Sequence, residues 1–181
     1  MNIELKILDW FQTLHTPVLD KFMTSVTKLG NAGIFWIILT VLFLLIPKMR
    51  KTGVVMAAAL IIDLLLCNVL LKNFVARTRP YDVNTGIQRL VAKLRDYSFP
   101  SGHTAASVAS VAALYFTGEK KLWKPALMLA CLIAVSRLYL YVHYPTDVLG
   151  GVVIGIIAGY LGYRLVKVLE DKFSRMKNGG E

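Results

Sequence analysis

Apolar residues along this chain fall into two patterns, short stripes at helical spacing and long unbroken runs. Ile3, Ile7, Trp10, Phe11 and Leu14 recur every three or four positions, with Asn2, Lys6, Asp9 and Thr13 between them, as in a helix with one apolar face. Thr16 followed by Pro17 predicts a cap and a favoured first-turn residue, and Val18, Leu19, Phe22, Met23 and Val26 form a second stripe that ends at Gly30. Residues 1–30 therefore read as two short interfacial helices. Five runs of membrane length follow, over 31–46, 53–71, 103–117, 125–142 and 148–165. The expected fold is all-α: one domain, an integral membrane helical bundle with about five transmembrane helices, residues 72–102 forming an outer loop. Within that loop Ile87, Leu90, Val91 and Leu94 alternate with Gln88, Arg89, Lys93 and Arg95, which predicts a basic amphipathic helix.

Composition supports the membrane reading, since 56% hydrophobic against 18% charged residues is too apolar for an ordinary soluble domain. Glu4, Lys6 and Asp9 interrupt any secretory-signal core, so the first run is expected to act as its own insertion signal. A net charge of +10 raises nucleic acid as a partner, but no soluble basic domain or recognition element accompanies it, and anionic membrane lipid fits better. Eleven of the 21 basic residues fall in three segments: Lys48, Arg50 and Lys51; Lys120, Lys121 and Lys124; Arg164, Lys167, Lys172, Arg175 and Lys177. Alternating spans put all three on one face, which the positive-inside rule makes cytoplasmic, so the loop over 72–102 and the corner at Tyr144–Asp147 face outward. Gly151, Gly155 and Gly159 repeat every four residues in the last run, and Ala105, Ala106, Ser107, Ala109, Ser110, Ala112 and Ala113 crowd the third. Two such small-residue faces predict close contact between those helices. Cys67 and Cys131 both fall inside runs and read as packing residues.

Three clusters with chemical potential stand at the outer ends of different runs: Lys72 with Arg79 and Pro80; Pro100, Ser101, Gly102 and His103; and Ser136 and Arg137 with His143 and Asp147. Each has a plainer reading. Lys72 and Arg79 suit interfacial anchors. Ser101 suits an N-cap and Asp147 a helix cap. Arg137 resists such a reading, because a cation within an apolar run needs a partner or a wet cavity. Taken together, three cations converging with two histidines and a carboxylate make an electropositive anion site. Ser101 and Gly102 would add free backbone N–H groups and room for a phosphate at a helix start. His143 and Asp147, four apart, allow the carboxylate to hold one imidazole tautomer and leave the other nitrogen as nucleophile. Two histidines and a carboxylate are also common metal ligands, but three fixed cations would repel a divalent ion while neutralising a phosphoryl group. No metal and no cofactor is therefore expected. Asp63, about 13 Å of helix before Lys72, reads as a structural partner, and His15 as an interfacial surface residue without a partner.

These spacings resemble the type 2 phosphatidic acid phosphatase family, whose signature is Lys-x6-Arg-Pro, Pro-Ser-Gly-His and Ser-Arg-x5-His-x3-Asp, and every specified position matches between Lys72 and Asp147. The resemblance implies a metal-free lipid phosphatase in which His143 becomes a phosphohistidine and Asp147 orients it. His103 protonates the leaving oxygen and later activates water, while Lys72, Arg79, Ser101, Gly102 and Arg137 hold the phosphoryl oxygens. The chain resembles the compact bacterial members that recycle undecaprenyl diphosphate, which together with the outward-facing site makes that lipid the favoured substrate. Phosphatidylglycerol phosphate, phosphatidic acid and lipid A phosphate are alternatives. So are phosphoryl transfer to a second lipid and, from another class, a non-enzymatic transporter with a basic vestibule.

Overall fold

The computed structural model describes residues 3–178. Helix α1 (Ile3–Gln12) and α2 (Pro17–Leu29) form where the two stripes predict them, and the Thr16 side chain accepts a hydrogen bond from Leu19 N to cap α2. Asn2, expected on the polar side of α1, lies outside the described residues. A 45° bend separates α2 from the helical segment that contains α3 (Ile34–Leu45). The next rod starts with α4 (Arg50–Asp63), passes through a π-helical stretch at Leu64–Leu71, and ends as α5 (Lys72–Val75). A short α6 (Pro80–Val83) follows, then α7 (Gly102–Phe116), α8 (Trp123–Tyr139) and α9 (Pro145–Asn178).

By length and composition, two helical segments are long and apolar enough to cross a membrane, Pro47–Val83, which includes the α4–α5 rod, and Pro145–Lys177, and the bent α2–α3 pair makes a third if it counts as one span. α7 with 15 residues and α8 with 17 occupy two of the expected runs. At 1.5 Å per residue each is shorter than a hydrocarbon core of about 30 Å. The outward surface of the bundle carries Ile38, Leu42, Leu65, Val69, Leu149 and Val153, as lipid contact requires. Inside the bundle, Trp36 Nε1 donates to Ser107 Oγ at 2.9 Å. Cys67 is buried, whereas Cys131, expected to pack, is exposed on the bundle surface.

The expected small-residue seam lies between α7 and α9. A methyl group added at Gly151 would come within 2.7 Å of Ser101 O, and one at Gly155 within 2.6 Å of Ala105 O. The two backbones therefore approach as closely as glycine allows. At the far end of the bundle, Lys51 meets Glu170 at 2.5 Å and Thr52 donates to Glu119 at 2.8 Å. The segments around the first, second and third basic groups thus gather at one end, opposite the starts of α7 and α9.

The basic amphipathic helix expected between Ile87 and Arg95 does not form: residues 84–101 run as an irregular strap. Its apolar residues Ile87, Leu90, Val91 and Leu94 do face inward, against Leu8, Tyr81, Tyr139 and Tyr141. The difference lies in the backbone. Tyr81 OH accepts from Leu94 N at 3.1 Å and donates to Leu94 O at 3.3 Å, and Arg79 donates to Asp96 O and Tyr97 O. Side chains from outside the strap thus take several of the groups that a helix would pair internally.

Candidate active site

Two residues in left-handed backbone conformation turn the chain into the site. Ala76 (φ 47°) ends α5, so Arg77 and Arg79 fold back over the bundle. Tyr141 (φ 59°) follows α8 and delivers His143 inward; its hydroxyl donates to Asp9 at 2.7 Å and accepts from Asn84 at 3.0 Å. A bulky residue in this region is strained and persists only where its surroundings hold it.

His143 is almost fully buried at 1% exposure. Its Nε2 faces Arg79 Nη1 at 3.4 Å, and its Nδ1 stands 3.5 Å from Asp147 Oδ2, paired by charge while lacking a hydrogen-bond partner among the described residues. Burial pushes the imidazole down to about 3, helped by Arg137 and Arg79 and opposed by Asp147, so the ring is neutral near pH 7. Asp147 is held on every side: Oδ2 accepts from Ser98 Oγ and from Tyr144 N at 2.9 Å, and Oδ1 from Arg77 Nη1 at 2.6 Å. Arg77 is itself fixed by Glu4 at 2.6 Å, by Thr146 at 2.7 Å and by the Tyr144 ring at 3.8 Å. Helix α1 thereby reaches the carboxylate behind the histidine.

The cations gather on the other side of that ring. Arg79 is buried and donates to Val142 O at 2.7 Å. Lys72, at the start of α5, and Arg79 both pair with Asp96, Arg79 Nη2 at 2.7 Å from Oδ1 and Lys72 Nζ on Oδ2. Arg137 donates to Thr27 Oγ1, while its buried Nε has no partner among the described residues. Ser101 caps α7, its backbone N donating to Asp147 O at 3.0 Å. A Cβ at Gly102 would come within 3.0 Å of Asn68 Oδ1 and 3.7 Å of Lys72 Nζ, so only glycine leaves that cradle open. His103 meets Asn31 Oδ1 at 3.0 Å and lies within electrostatic reach of Arg137, His143, Lys72 and Arg79.

All eight sequence-predicted residues thus come together at one end of the bundle. Sequence reasoning missed partners that include Arg77, Asp96, Ser98, Asn31 and Thr27. Only Arg77 left a signal, as a further basic residue inside the Lys-x6-Arg-Pro spacing. Among the described residues, no group of three or more histidine, cysteine, aspartate or glutamate side chains is placed to hold a metal ion.

A cavity of about 610 Å³ runs from Lys72, Asp96, Gly102 and His103 down an apolar groove past Ile37, Val41, Leu60 and Ile61. Asp63 lines this groove, buried, with Oδ1 lacking a hydrogen-bond partner among the described residues, so the structural partnership expected of it is not made through that atom. His15 also departs from expectation. It stacks on Tyr139 with ring centres 4.4 Å apart and lies 3.2 Å from Tyr139 O, tying the loop after α1 to the end of α8.

A protein-family model of the PAP2 superfamily matches residues 52–171, a span that includes all eight site residues. The undecaprenyl-diphosphatase of Sulfolobus acidocaldarius is 30% identical over 165 residues, which cover 91% of this chain and 78% of that protein. The crystal structure of Aquifex aeolicus LpxE matches with a TM-score of 0.79 at 26% identity, over 91% of this chain and 96% of that one. A transmembrane PAP2-type phosphatidylglycerolphosphate phosphatase from Bacillus subtilis matches with a TM-score of 0.73 at 28% identity, over 94% and 85% of the two chains.

Proposed function

The chain belongs to the PAP2 superfamily of membrane lipid phosphatases, and from that premise we propose that His143 is its nucleophile and undecaprenyl diphosphate its favoured substrate. The observation that carries the mechanism is the two-sided setting of the His143 ring, with Asp147 behind Nδ1 and Arg79 beside Nε2. Asp147 holds the proton on Nδ1, which leaves the Nε2 lone pair directed at the cationic pocket. Nε2 attacks phosphorus as the bond from phosphorus to the leaving oxygen breaks, giving a phosphohistidine, and His103 gives its proton to that oxygen. Water then attacks the phosphohistidine, His103 takes up its proton, the bond from phosphorus to Nε2 breaks, and inorganic phosphate leaves. Lys72, Arg79, Arg137 and the N–H groups at Ser101 and Gly102 neutralise charge on the phosphoryl oxygens throughout. This is work a divalent cation does elsewhere, so none is required.

The apolar groove leading away from Lys72 and His103 suits a lipid tail. The gathering of basic segments at the opposite end supports an outward-facing site in the cell membrane. An outward site and the similarity to a protein named undecaprenyl-diphosphatase favour the diphosphate carrier over phosphatidylglycerol phosphate or phosphatidic acid. The test is phosphate release by the purified protein, in EDTA, across these three lipids and lipid A phosphate. Highest kcat/KM on the diphosphate is expected. Release from none of them would overturn the reaction, preference for a monophosphate lipid would overturn the substrate, and activity restored only by magnesium or zinc would overturn the metal-free site.

A further inference from the structure

The subsite formed by Lys72 and Arg79 holds an anion that belongs to the chain itself. Asp96 places one carboxylate oxygen on each cation, as two oxygens of a phosphoryl group would sit. The partners differ sharply in freedom, because the Lys72 and Arg79 side chains are 8% and 3% exposed whereas that of Asp96 is 49% exposed. The cations are fixed and the carboxylate is the part able to swing away. Its backbone stays, since Arg79 donates to Asp96 O at 2.9 Å and Tyr97 O at 3.2 Å. A displaced Asp96 carboxylate therefore remains tethered at high effective concentration as a competitor for the same cations.

We propose that Asp96 is a specificity-determining residue whose carboxylate fills the Lys72–Arg79 subsite until a lipid phosphate carrying at least two negative charges displaces it. The proposal rests on the phosphatase reading above. A monoanionic phosphodiester exchanged for a carboxylate gains no charge at the site, and it must still bring its own head group out of water. A dianionic phosphomonoester or a diphosphate gains one or more. Lys72, Arg79 and Arg137 against Asp96 leave two uncompensated positive charges, which match a dianion and exceed a monoanion. Arg137 Nε, buried without a partner among the described residues, is the donor left over for a third oxygen. The consequence is that phosphodiester lipids, abundant in any bilayer, are kept from blocking the enzyme.

The groups facing Asp96 are Lys72 and Arg79 in contact and Arg137 and Cys67 within electrostatic reach. Arg77, Asp82, Lys93 and Arg95 share the outer pocket with it, and Asp63 and His103 share the inner groove. Although burial opposes ionisation, Lys72 and Arg79 hold the Asp96 carboxyl down to about 2, so it stays charged across pH 5.5–7.5. The substrate does not, because a phosphomonoester loses its second negative charge below a pKa of about 6.

The experiment compares wild type, Asp96→Asn and Asp96→Glu in nonionic micelles containing a lipid monophosphate, with phosphatidylglycerol added as inhibitor. Asp96→Asn is expected to tighten phosphatidylglycerol inhibition by about tenfold or more, while Asp96→Glu stays near wild type. From pH 7.5 to 5.5 the wild-type KM should rise more steeply than that of Asp96→Asn. Phosphatidylglycerol binding, read as thermal stabilisation relative to phosphatidylcholine micelles, decides the matter where a variant turns over too slowly, with Asp96→Ser as a second neutral variant should Asp96→Asn not fold. Unchanged or weaker phosphatidylglycerol binding in the neutral variants would overturn the filter. Absence of phosphate release by wild type, from any lipid, would instead overturn the phosphatase reading and leave the binding comparison intact.

Discussion

The α7–α9 seam and the strap over residues 84–101 both serve the same site, and they hold their residues by opposite means. The seam is backbone against backbone: glycines of α9 sit on carbonyls of α7, and the two helix starts bring Ser101, His103 and Asp147 to one place. The strap is held by side chains: Tyr81 on Leu94, and Arg79 with Lys72 on Asp96. Close packing does not deform gradually, which suits groups whose chemistry depends on position to a fraction of an ångström. Ion pairs at a half-exposed carboxylate exchange partners readily, which suits the part that must accept and release an anion.

The largest effect tests the seam side. His143→Ala removes the proposed nucleophile, so turnover should fall on the order of 10⁴-fold or more with every leaving group, and no phosphoenzyme should be trapped. His103→Ala removes only the proposed proton donor, so its defect should shrink for a good leaving group. A diphosphate lipid departs as a lipid phosphate and a monophosphate lipid as a far more basic alkoxide. Single-turnover rates on the two substrates should therefore diverge for His103→Ala and fall together for His143→Ala. Equal His103→Ala losses on both would count against its role as general acid.

Next in size is a break in the seam itself. At Gly155 a Cβ would meet Ala105 O at 2.6 Å, Val108 Cβ at 2.7 Å and Ala109 N at 2.9 Å, and two of these are backbone atoms of α7 that a rotamer change cannot move. Gly155→Val should therefore separate α7 from α9, destabilising the protein by about 3 kcal/mol and lowering kcat on every substrate alike. Unfolding in detergent alongside phosphate release checks both. A stable variant with wild-type kcat would mean that the catalytic geometry does not depend on the seam.

The two regions also differ in how legible they were. Lipid-facing helices must be apolar along their length, and close helices must carry small residues, so the runs and the glycine repeat announced the bundle and the seam directly. The motif residues stood at the run ends and converged as their positions implied. The strap deceived because a 3.6-residue apolar stripe reports only which side chains face inward; Ile87, Leu90, Val91 and Leu94 do so along an irregular backbone. Asp96 and Ser98 were invisible because a loop carries no periodicity, and their partners lie 17 to 49 positions away in sequence. Arg77 was passed over although it stands two residues from Arg79, because its partners Glu4 and Asp147 come from opposite ends of the chain.

The smallest expected effect asks whether the strap needs accurate placement at all. Tyr81 closes it with one hydroxyl that accepts from Leu94 N and donates to Leu94 O, both bonds partly buried, between Arg79 and Asp96 in sequence. Tyr81→Phe keeps the ring among Tyr139, Tyr141 and Leu8 and removes only that hydroxyl. The stability loss should be about 1 kcal/mol, the usual worth of such a bond with some desolvation of the groups left unpaired. If side-chain ion pairs position the phosphate cations, as the comparison with the seam implies, Arg79 keeps its bonds to Val142 O, Asp96 and Tyr97 in the variant. Activity should then change by no more than about threefold, mainly in KM. A large fall in kcat with little loss of stability would mean that the strap is as exacting as the seam, and that Asp96 is held in place rather than free to yield to substrate.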